Sequence, residues 1–212
     1  MRPHDLLRLV SGAGLRHEGS APAWVATSLA LAPWVVVRRA RTPAGLIPVG
    51  VRGPTRGQRF AALLTPDAVA ARVTPEDLAA ARGWSHTPRA RLVGPLQVLD
   101  AVDELFTTLG VAWGPTGSVG FELATGVPAA TTASDLDVVV RAPERWPLED
   151  ARDIADDLER LPTRVDVQLD APAGAVMLAE YARGGRVLLR TQAGPRLVYD
   201  PWREADDGLR SA

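Results

Sequence analysis

Ser134-Asp135-Leu136-Asp137-Val138-Val139-Val140 sets two carboxylates two residues apart at the head of a β-branched run. On a strand such residues leave from one face, roughly 7 Å apart at Cα, while Leu136, Val138 and Val140 turn into apolar packing. Two ionised carboxylates this close repel unless a cation sits between them, and an all-oxygen donor set suits Mg²⁺ or Mn²⁺. Arg164-Val165-Asp166-Val167-Gln168-Leu169-Asp170 repeats the alternation, with Asp166, Gln168 and Asp170 on one face. Laid beside the first strand, it brings Asp166 into a three-carboxylate cluster. Such a cluster can hold two metals that clamp the attacking and leaving oxygens of a phosphoryl group. Gly117-Ser118-Val119-Gly120 supplies a complementary feature. Small residues at a helix start let backbone N–H groups approach an anion, and the helix N-terminus favours negative charge. Without a Gly-Lys-Ser/Thr sequence it is not a Walker loop.

The elements that must hold these groups are legible around them. Residues 111–115 predict a short strand before the Gly-Ser turn, and a helical stretch then stops at Gly126. A strand over 135–141, a helix over 148–161 and a strand over 164–169 follow. Next come a helix over about 175–181 and a hairpin joining 186–191 to 196–199 around Gly194-Pro195. Alternation of this kind implies a mixed sheet backed by helices. Upstream, 95–109 carries Leu96, Leu99, Val102, Leu105, Phe106 and Leu109 on one helical face, closed by Gly110. Residues 34–39 and 47–51 read as strands, and 23–31 as a short helix or a buried strand. Thr65-Pro66-Asp67 and Thr74-Pro75-Glu76-Asp77 both carry helix-start signals, with Thr before Pro and an acid in the first turn. The second of these helices is expected to run to Arg82 and stop at Gly83. The polar, Pro-containing segment 85–91 divides a smaller N-terminal α+β domain, 1–90, from a catalytic domain, 91–212. The fold class is α+β.

Composition narrows the function. With 212 residues, 46% hydrophobic and 23% charged, the chain can bury a sizeable core. It has no cysteine, and its three histidines form no spaced pair, which argues against thiol chemistry and His-rich metal sites. All 24 basic residues are arginine, so there is no lysine for a Schiff base and cationic recognition uses the guanidinium fork. The net charge of −1 hides a division: residues 1–92 hold 13 Arg against five acids, and 93–212 hold 11 Arg against 20. A basic half attracts phosphates, whereas an acidic half meets them through a metal. The first half lacks aromatics interleaved with its arginines, so nucleic acid is not an expected partner. No apolar run is long enough to cross a bilayer and no apolar segment follows the first residues, so a cytoplasmic protein is expected, without a membrane partner.

Gly-Ser, then seventeen residues from Ser118 to the Asp-x-Asp pair, then a helix and a strand with a third Asp resembles the nucleotidyltransferase superfamily, with its polymerase-β-like palm fold. That resemblance implies a triphosphate held at Gly117 and Ser118, and Mg²⁺ held by Asp135, Asp137 and Asp166 for attack on the α-phosphate. A narrower likeness extends over nearly the whole chain. It includes Arg2-Pro3-His4-Asp5-Leu6-Leu7, Trp34-Val35-Val36-Val37-Arg38-Arg39 and Val49-Gly50-Val51-Arg52-Gly53 with Arg56 and Arg59. Gly117-Ser118-Val119-Gly120-Phe121-Glu122, Ser134-Asp135-Leu136-Asp137 and Val187-Leu188-Leu189-Arg190-Thr191 complete it. These segments resemble the malonate decarboxylase holo-acyl carrier protein synthases, the phosphoribosyl-dephospho-CoA transferases. Lys is frequent in that family where this chain has Arg190.

The resemblance implies transfer from 2′-(5″-triphosphoribosyl)-3′-dephospho-CoA to a serine of the apo acyl carrier protein subunit, with release of pyrophosphate. Arg38, Arg39, Arg52, Arg56 and Arg59 are then the expected receivers of the substrate's phosphates, and Asp166 the acceptor of the hydroxyl proton. Glu122 is expected to face solvent. The alternatives are another metal-dependent nucleotidyltransferase acting on a small molecule or protein, and a non-catalytic nucleotide-binding module.

Overall fold

The computed structural model describes residues 1–10 and 14–203. Its first sheet holds Leu6–Leu9 (β1), Leu15–Arg16 (β2), Trp34–Val37 (β3), Ile47–Arg52 (β4), Arg59–Leu64 (β5) and Val69–Val73 (β6). Helix Ala23–Leu31 (α1) lies between β2 and β3 in sequence. The strand order is β2-β5-β4-β3-β1-β6, and every neighbouring pair is antiparallel. Leu7, Val35, Val37, Val49, Val51 and Leu64 alternate inward to form its core, as half-buried strands require.

Pro75–Ala81 (α2) leaves this sheet behind a reciprocal cap. Thr74 Oγ1 accepts from Asp77 N, and Asp77 Oδ2 accepts from Thr74 N at 2.8 Å. The helix ends where Arg82 turns left-handed, one residue before the expected stop. Two 3₁₀ turns, Gly83–His86 and Pro88–Arg91, occupy the expected break. Gly94–Gln97 (α3) and Leu99–Thr108 (α4) follow.

The second sheet comprises Trp113–Pro115 (β7), Leu136–Arg141 (β8), Val165–Ala171 (β9), Gly174–Met177 (β10), Val187–Thr191 (β11) and Gly194–Val198 (β12). Gly117–Thr125 (α5) joins β7 to β8, Leu148–Glu159 (α6) joins β8 to β9, and Leu178–Ala182 (α7) joins β10 to β11. The order is β12-β11-β10-β9-β8-β7. β8 and β9 run parallel, joined by a crossover through α6, and the other neighbouring pairs are antiparallel. The sheet is therefore mixed and carries helices, and the chain as a whole is α+β.

Leu136, Val138, Val140, Val167 and Leu169 bury one face of this sheet in the largest apolar cluster, with Leu99, Val102 and Phe106 of α4 and Ile154 and Leu158 of α6. A smaller cluster of Leu6, Ala32, Leu78 and Phe121 joins the two sheets. The other face of β8 and β9 is thereby left to carry polar side chains toward the first sheet. No helix among the described residues is long and apolar enough to cross a membrane.

Several local expectations are corrected. Residues 66–68 make only a three-residue 3₁₀ turn, with no side-chain cap from Thr65, before β6 begins. Alternating Val69, Ala71 and Val73 gain more from pairing with β1 than a helix there could supply. The single helix expected over 95–109 is two, separated at Val98, whose ψ of −3° departs from helical geometry. Residues 174–177 form a strand, because Val176 pairs with Leu169 across the turn after Ala171, and the helix there shrinks to five residues. The last hairpin turns between Thr191 and Gly194 rather than around Gly194-Pro195, with Thr191 Oγ1 donating to Gly194 O at 2.8 Å.

Candidate active site

Parallel pairing of β8 and β9 fixes the centre of the site. Leu136 is opposite Val165, Asp137 opposite Asp166 and Val138 opposite Val167. The two aspartates thus stand side by side on adjacent strands, about 4.8 Å apart in the pairing direction. Asp135 lies one residue ahead of β8, and its Oδ2 is 3.6 Å from the guanidinium of Arg56. Arg56 is 86% exposed, so this ion pair is a weak tether. Asp166 Oδ1 accepts from Arg164 Nε at 2.9 Å. Burial pushes the Asp137 carboxyl above its ordinary value. The neighbouring charges of Asp166 and then Asp135 push it further, outweighing Arg56 and Arg52. Asp137 and Asp166 are thus adjacent, while Asp135 lies toward Arg56.

The glycine turn presses on this pair. Thr116 N donates to Asp137 O at 2.8 Å, tying the start of α5 to β8. Gly117 adopts φ +58°, and a Cβ there would fall 2.8 Å from Asp137 Cγ and overlap its Oδ2. Glycine is required twice over, by the left-handed backbone and by the carboxylate against it. The first turn of α5 is closed by Gly120 N–H bonding to Thr116 O, so the N–H groups of Gly117, Ser118 and Val119 precede the helical ladder and are available to an anion. Ser118 is buried and does not line the adjoining cavity, whereas Thr116 does, and the Thr116 side chain makes no capping bond.

That cavity, of about 490 Å³, lies between the two sheets. Asp137, Asp166 and Gly117 line it from one side, and Arg38, Arg52 and Arg59 from the other. Arg52 and Arg59 are direct cross-strand partners on β4 and β5, a like-charge pairing that is unfavourable unless an anion lies between or over it. Burial and then Arg59 lower the Arg52 pKa, with Asp137 opposing. A cationic wall therefore confronts an anionic floor.

Arg39 is placed elsewhere. Its guanidinium pairs with Asp170, which also accepts from Arg141 Nη1 at 2.7 Å. Arg141 Nε donates to Glu76 at 2.7 Å, and Glu76 accepts from Arg2 at 3.1 Å. This ion network pins α2 and the end of β3 to β8 and β9, so Arg39 and Asp170 do structural work. On β11, the buried Nη1 of Arg190 has no hydrogen-bond partner among the described residues.

Two residues have surroundings that the sequence reading did not give them. His4 lines the cavity at φ +75°, a left-handed conformation uncommon outside glycine. Its Nε2 lies 2.7 Å from Gln168 Nε2, the neutral ring accepting from the amide. Burial, then the charges of Arg39 and Arg141, lower its pKa to about 4 against the opposing Asp170 and Asp5. The only hint in the sequence was the position of Gln168 two residues after Asp166. Glu122 is buried rather than solvent-facing. It accepts from Arg89 Nε at 2.7 Å, Ala129 N at 2.8 Å and Ala130 N at 2.9 Å. Burial alone would raise its pKa, but these hydrogen bonds outweigh it and the net shift is downward.

The donor set bears directly on metal binding. Among the described residues no three His, Asp or Glu side chains are gathered as a ready-made ligand group. Asp137 and Asp166 are gathered, and Asp135 is drawn toward Arg56. Mg²⁺ is commonly held by one or two carboxylates with the remaining positions filled by water and substrate phosphates, so the side-by-side pair suits it.

Comparison with known proteins gives the class and then the family. Residues 84–201 match the phosphoribosyl-dephospho-CoA transferase MdcG C-terminal domain, and residues 2–75 the MdcG N-terminal domain. A relative from Pseudomonas putida named phosphoribosyl-dephospho-CoA transferase is 44% identical over 202 residues, 95% of each chain. Relatives of the same name from Azotobacter vinelandii and Pseudomonas aeruginosa are 44% and 40% identical, each covering 96% of this chain and 95% of their own. No solved structure matches. The chain belongs to a family of transferases. That family is the phosphoribosyl-dephospho-CoA transferases, as the resemblance in the sequence implied.

Proposed function

We propose that this protein transfers phosphoribosyl-dephospho-CoA from 2′-(5″-triphosphoribosyl)-3′-dephospho-CoA to a serine hydroxyl of the malonate decarboxylase acyl carrier protein, in the cytoplasm. The observation that carries the reading is the pairing of Asp137 with Asp166 against Gly117, opposite Arg38, Arg52 and Arg59. We read residues 91–212 as a nucleotidyltransferase palm and 1–90 as the domain that closes over it.

Asp137 and Asp166 would hold Mg²⁺ or Mn²⁺, with Asp135 as third ligand once Arg56 releases it, and the ion would supply charge neutralisation for the triphosphate. The chain's own groups do the positioning. Backbone N–H groups of Gly117 and Ser118 receive phosphate oxygens at the start of α5, and Arg38, Arg52 and Arg59 take the remaining charge. Arg56 can leave Asp135 for a phosphate at little cost, since it is exposed. The serine oxygen bonds to the α-phosphorus as the bond to the β-phosphate oxygen breaks and pyrophosphate departs. Asp166 takes the hydroxyl proton. Such a transfer needs mostly alignment and charge neutralisation.

Incubation of the protein with Mg²⁺, the triphosphoribosyl substrate and apo carrier protein should add the mass of one phosphoribosyl-dephospho-CoA to the carrier serine. Asp137→Asn should add none. Absence of the adduct with wild-type protein, or equal adduct from both, would overturn the proposal. Consumption of labelled ATP without any CoA-derived substrate would point instead to a different nucleotidyltransferase.

A further inference from the structure

A second cavity, of about 570 Å³, adjoins the first and shares Arg52 with it. Its walls are Trp24 and Leu31 of α1, Phe121 of α5 and the segment from Val127 to Thr131. The Arg52 guanidinium lies at the junction, 5.9 Å from the Phe121 ring centroid and 3.3 Å from Ala129 O, to which it donates. At the far side Arg89 is held by Glu122 and donates to Ala130 O at 2.8 Å, so Glu122 fixes the 127–131 wall rather than a ligand.

Helix α1 has an unusual character for a surface helix. AWVATSLAL contains no charged residue, yet Val25 is its sole buried side chain and Leu31 is 71% exposed. A helix with no charge and only Thr27 and Ser28 as polar residues leaves apolar surface that calls for cover. Gly53 lets the indole of Trp24 approach the turn after β4 closely, because a Cβ there would fall 2.9 Å from Trp24 Cε3. The result is a fixed aromatic and aliphatic slot that opens onto the phosphate-binding arginines.

The chemistry of the proposed substrate says what enters. Its triphosphate hangs from a ribose joined to the 2′-oxygen of the adenosine, so the adenine is the apolar group nearest the reacting phosphorus. With the polyphosphate between Gly117 and the arginines, the way past Arg52 is the one that leads to paired aromatic walls, Trp24 and Phe121, whereas the cavity sharing Asp166 and Met177 is lined by aliphatic and charged side chains. We propose that the Trp24–Leu31–Phe121 slot binds the adenine of the dephospho-CoA portion. Its flat faces meet aromatic and aliphatic side chains, and its pyrophosphate stays near Arg52. This assignment rests on the transferase reading.

The test is calorimetric binding of four probes: 3′-dephospho-CoA, AMP, 4′-phosphopantetheine, and inorganic triphosphate with Mg²⁺. Full-length wild-type protein is compared with Ser28→Phe, which fills the slot from α1, and Leu31→Glu, which charges its lip. Ser28 and Leu31 both line the slot, neither is fully buried, and variants are accepted only with a wild-type melting temperature. Dephospho-CoA and AMP should each weaken about tenfold or more in both variants, with inorganic triphosphate unchanged. Unchanged AMP and dephospho-CoA affinity would overturn the slot while leaving the transferase reading intact. Selective loss of phosphopantetheine would overturn it in favour of the other end of the molecule. Wild-type protein that binds none of the probes would overturn both readings.

Discussion

Gly117→Ala probes the contact on which the site turns. Gly117 sits at φ +58°, and an added methyl would overlap the Asp137 carboxylate. The left-handed backbone costs a side-chain-bearing residue about 1–2 kcal/mol, and turning Asp137 off its rotamer adds roughly 1 kcal/mol. The total, about 2–3 kcal/mol, corresponds to a loss of about 5–10 °C in melting temperature for a domain of this size. Displacing Asp137 by about 1 Å should cost on the order of 100-fold in turnover. Gly126→Ala separates the two effects. It pays the same backbone strain at φ +73° but meets nothing within 4 Å, so it should lose stability and keep activity. Differential scanning calorimetry and the carrier-modification assay read both quantities. If Gly117→Ala lost no more stability than Gly126→Ala and kept activity within a few-fold, the close approach of glycine to Asp137 would not matter and the site geometry would be wrong.

Three further outcomes follow. Asp137→Asn should raise the melting temperature at pH 7. A carboxyl whose folded pKa is raised stabilises the fold below its unfolded value and loses that contribution as pH climbs through the folded one, so the gain should vanish near pH 3.8. An unchanged or lower melting temperature at pH 7 would contradict the carboxylate repulsion. The depressed His4 pKa works in the opposite direction. Its stabilisation is complete above about 6.5 and is lost as pH falls through about 4, a difference worth about 3 kcal/mol. His4→Asn, which tolerates the positive φ, should therefore flatten the acid limb of the stability profile, and parallel limbs for the two proteins would refute it. Arg141→Met should cost about 3 kcal/mol in urea unfolding, since Asp170 and Glu76 lose their shared buried partner but keep Arg39 and Arg2. A loss below about 1 kcal/mol would show the network to be ornamental.

The site was more legible in the sequence than the fold around it. Alternation in 134–141 and 164–170 put Asp137 and Asp166 on matching faces, because period-two patterning is a direct consequence of strand geometry. The glycine turn could be read only together with the two aspartate strands, because glycine often merely punctuates a strand–helix turn, and here it forms the first turn of α5. Arg39 could not be told from Arg38 by type, since its role depends on Asp170 arriving 131 residues later in sequence. His4 was silent for the same reason, as its partner Gln168 is 164 residues away. Residues 175–177 were misread as helix because Ala-Val-Met suits both states, and the pairing with β9 that decides between them is tertiary. Likewise β1 and β5, absent from the sequence reading, take their identity from neighbours in the sheet.

Titration of Mn²⁺ in the presence of inorganic triphosphate, followed by the water-proton relaxation enhancement that distinguishes Mn²⁺ held on a macromolecule from Mn²⁺ on free triphosphate, reaches the centre of the account. Wild-type protein should take up the ion with triphosphate, and the double variant Asp137→Asn, Asp166→Asn should not while remaining folded. Equal uptake by the two proteins would mean that the facing aspartates of β8 and β9 do not hold the metal.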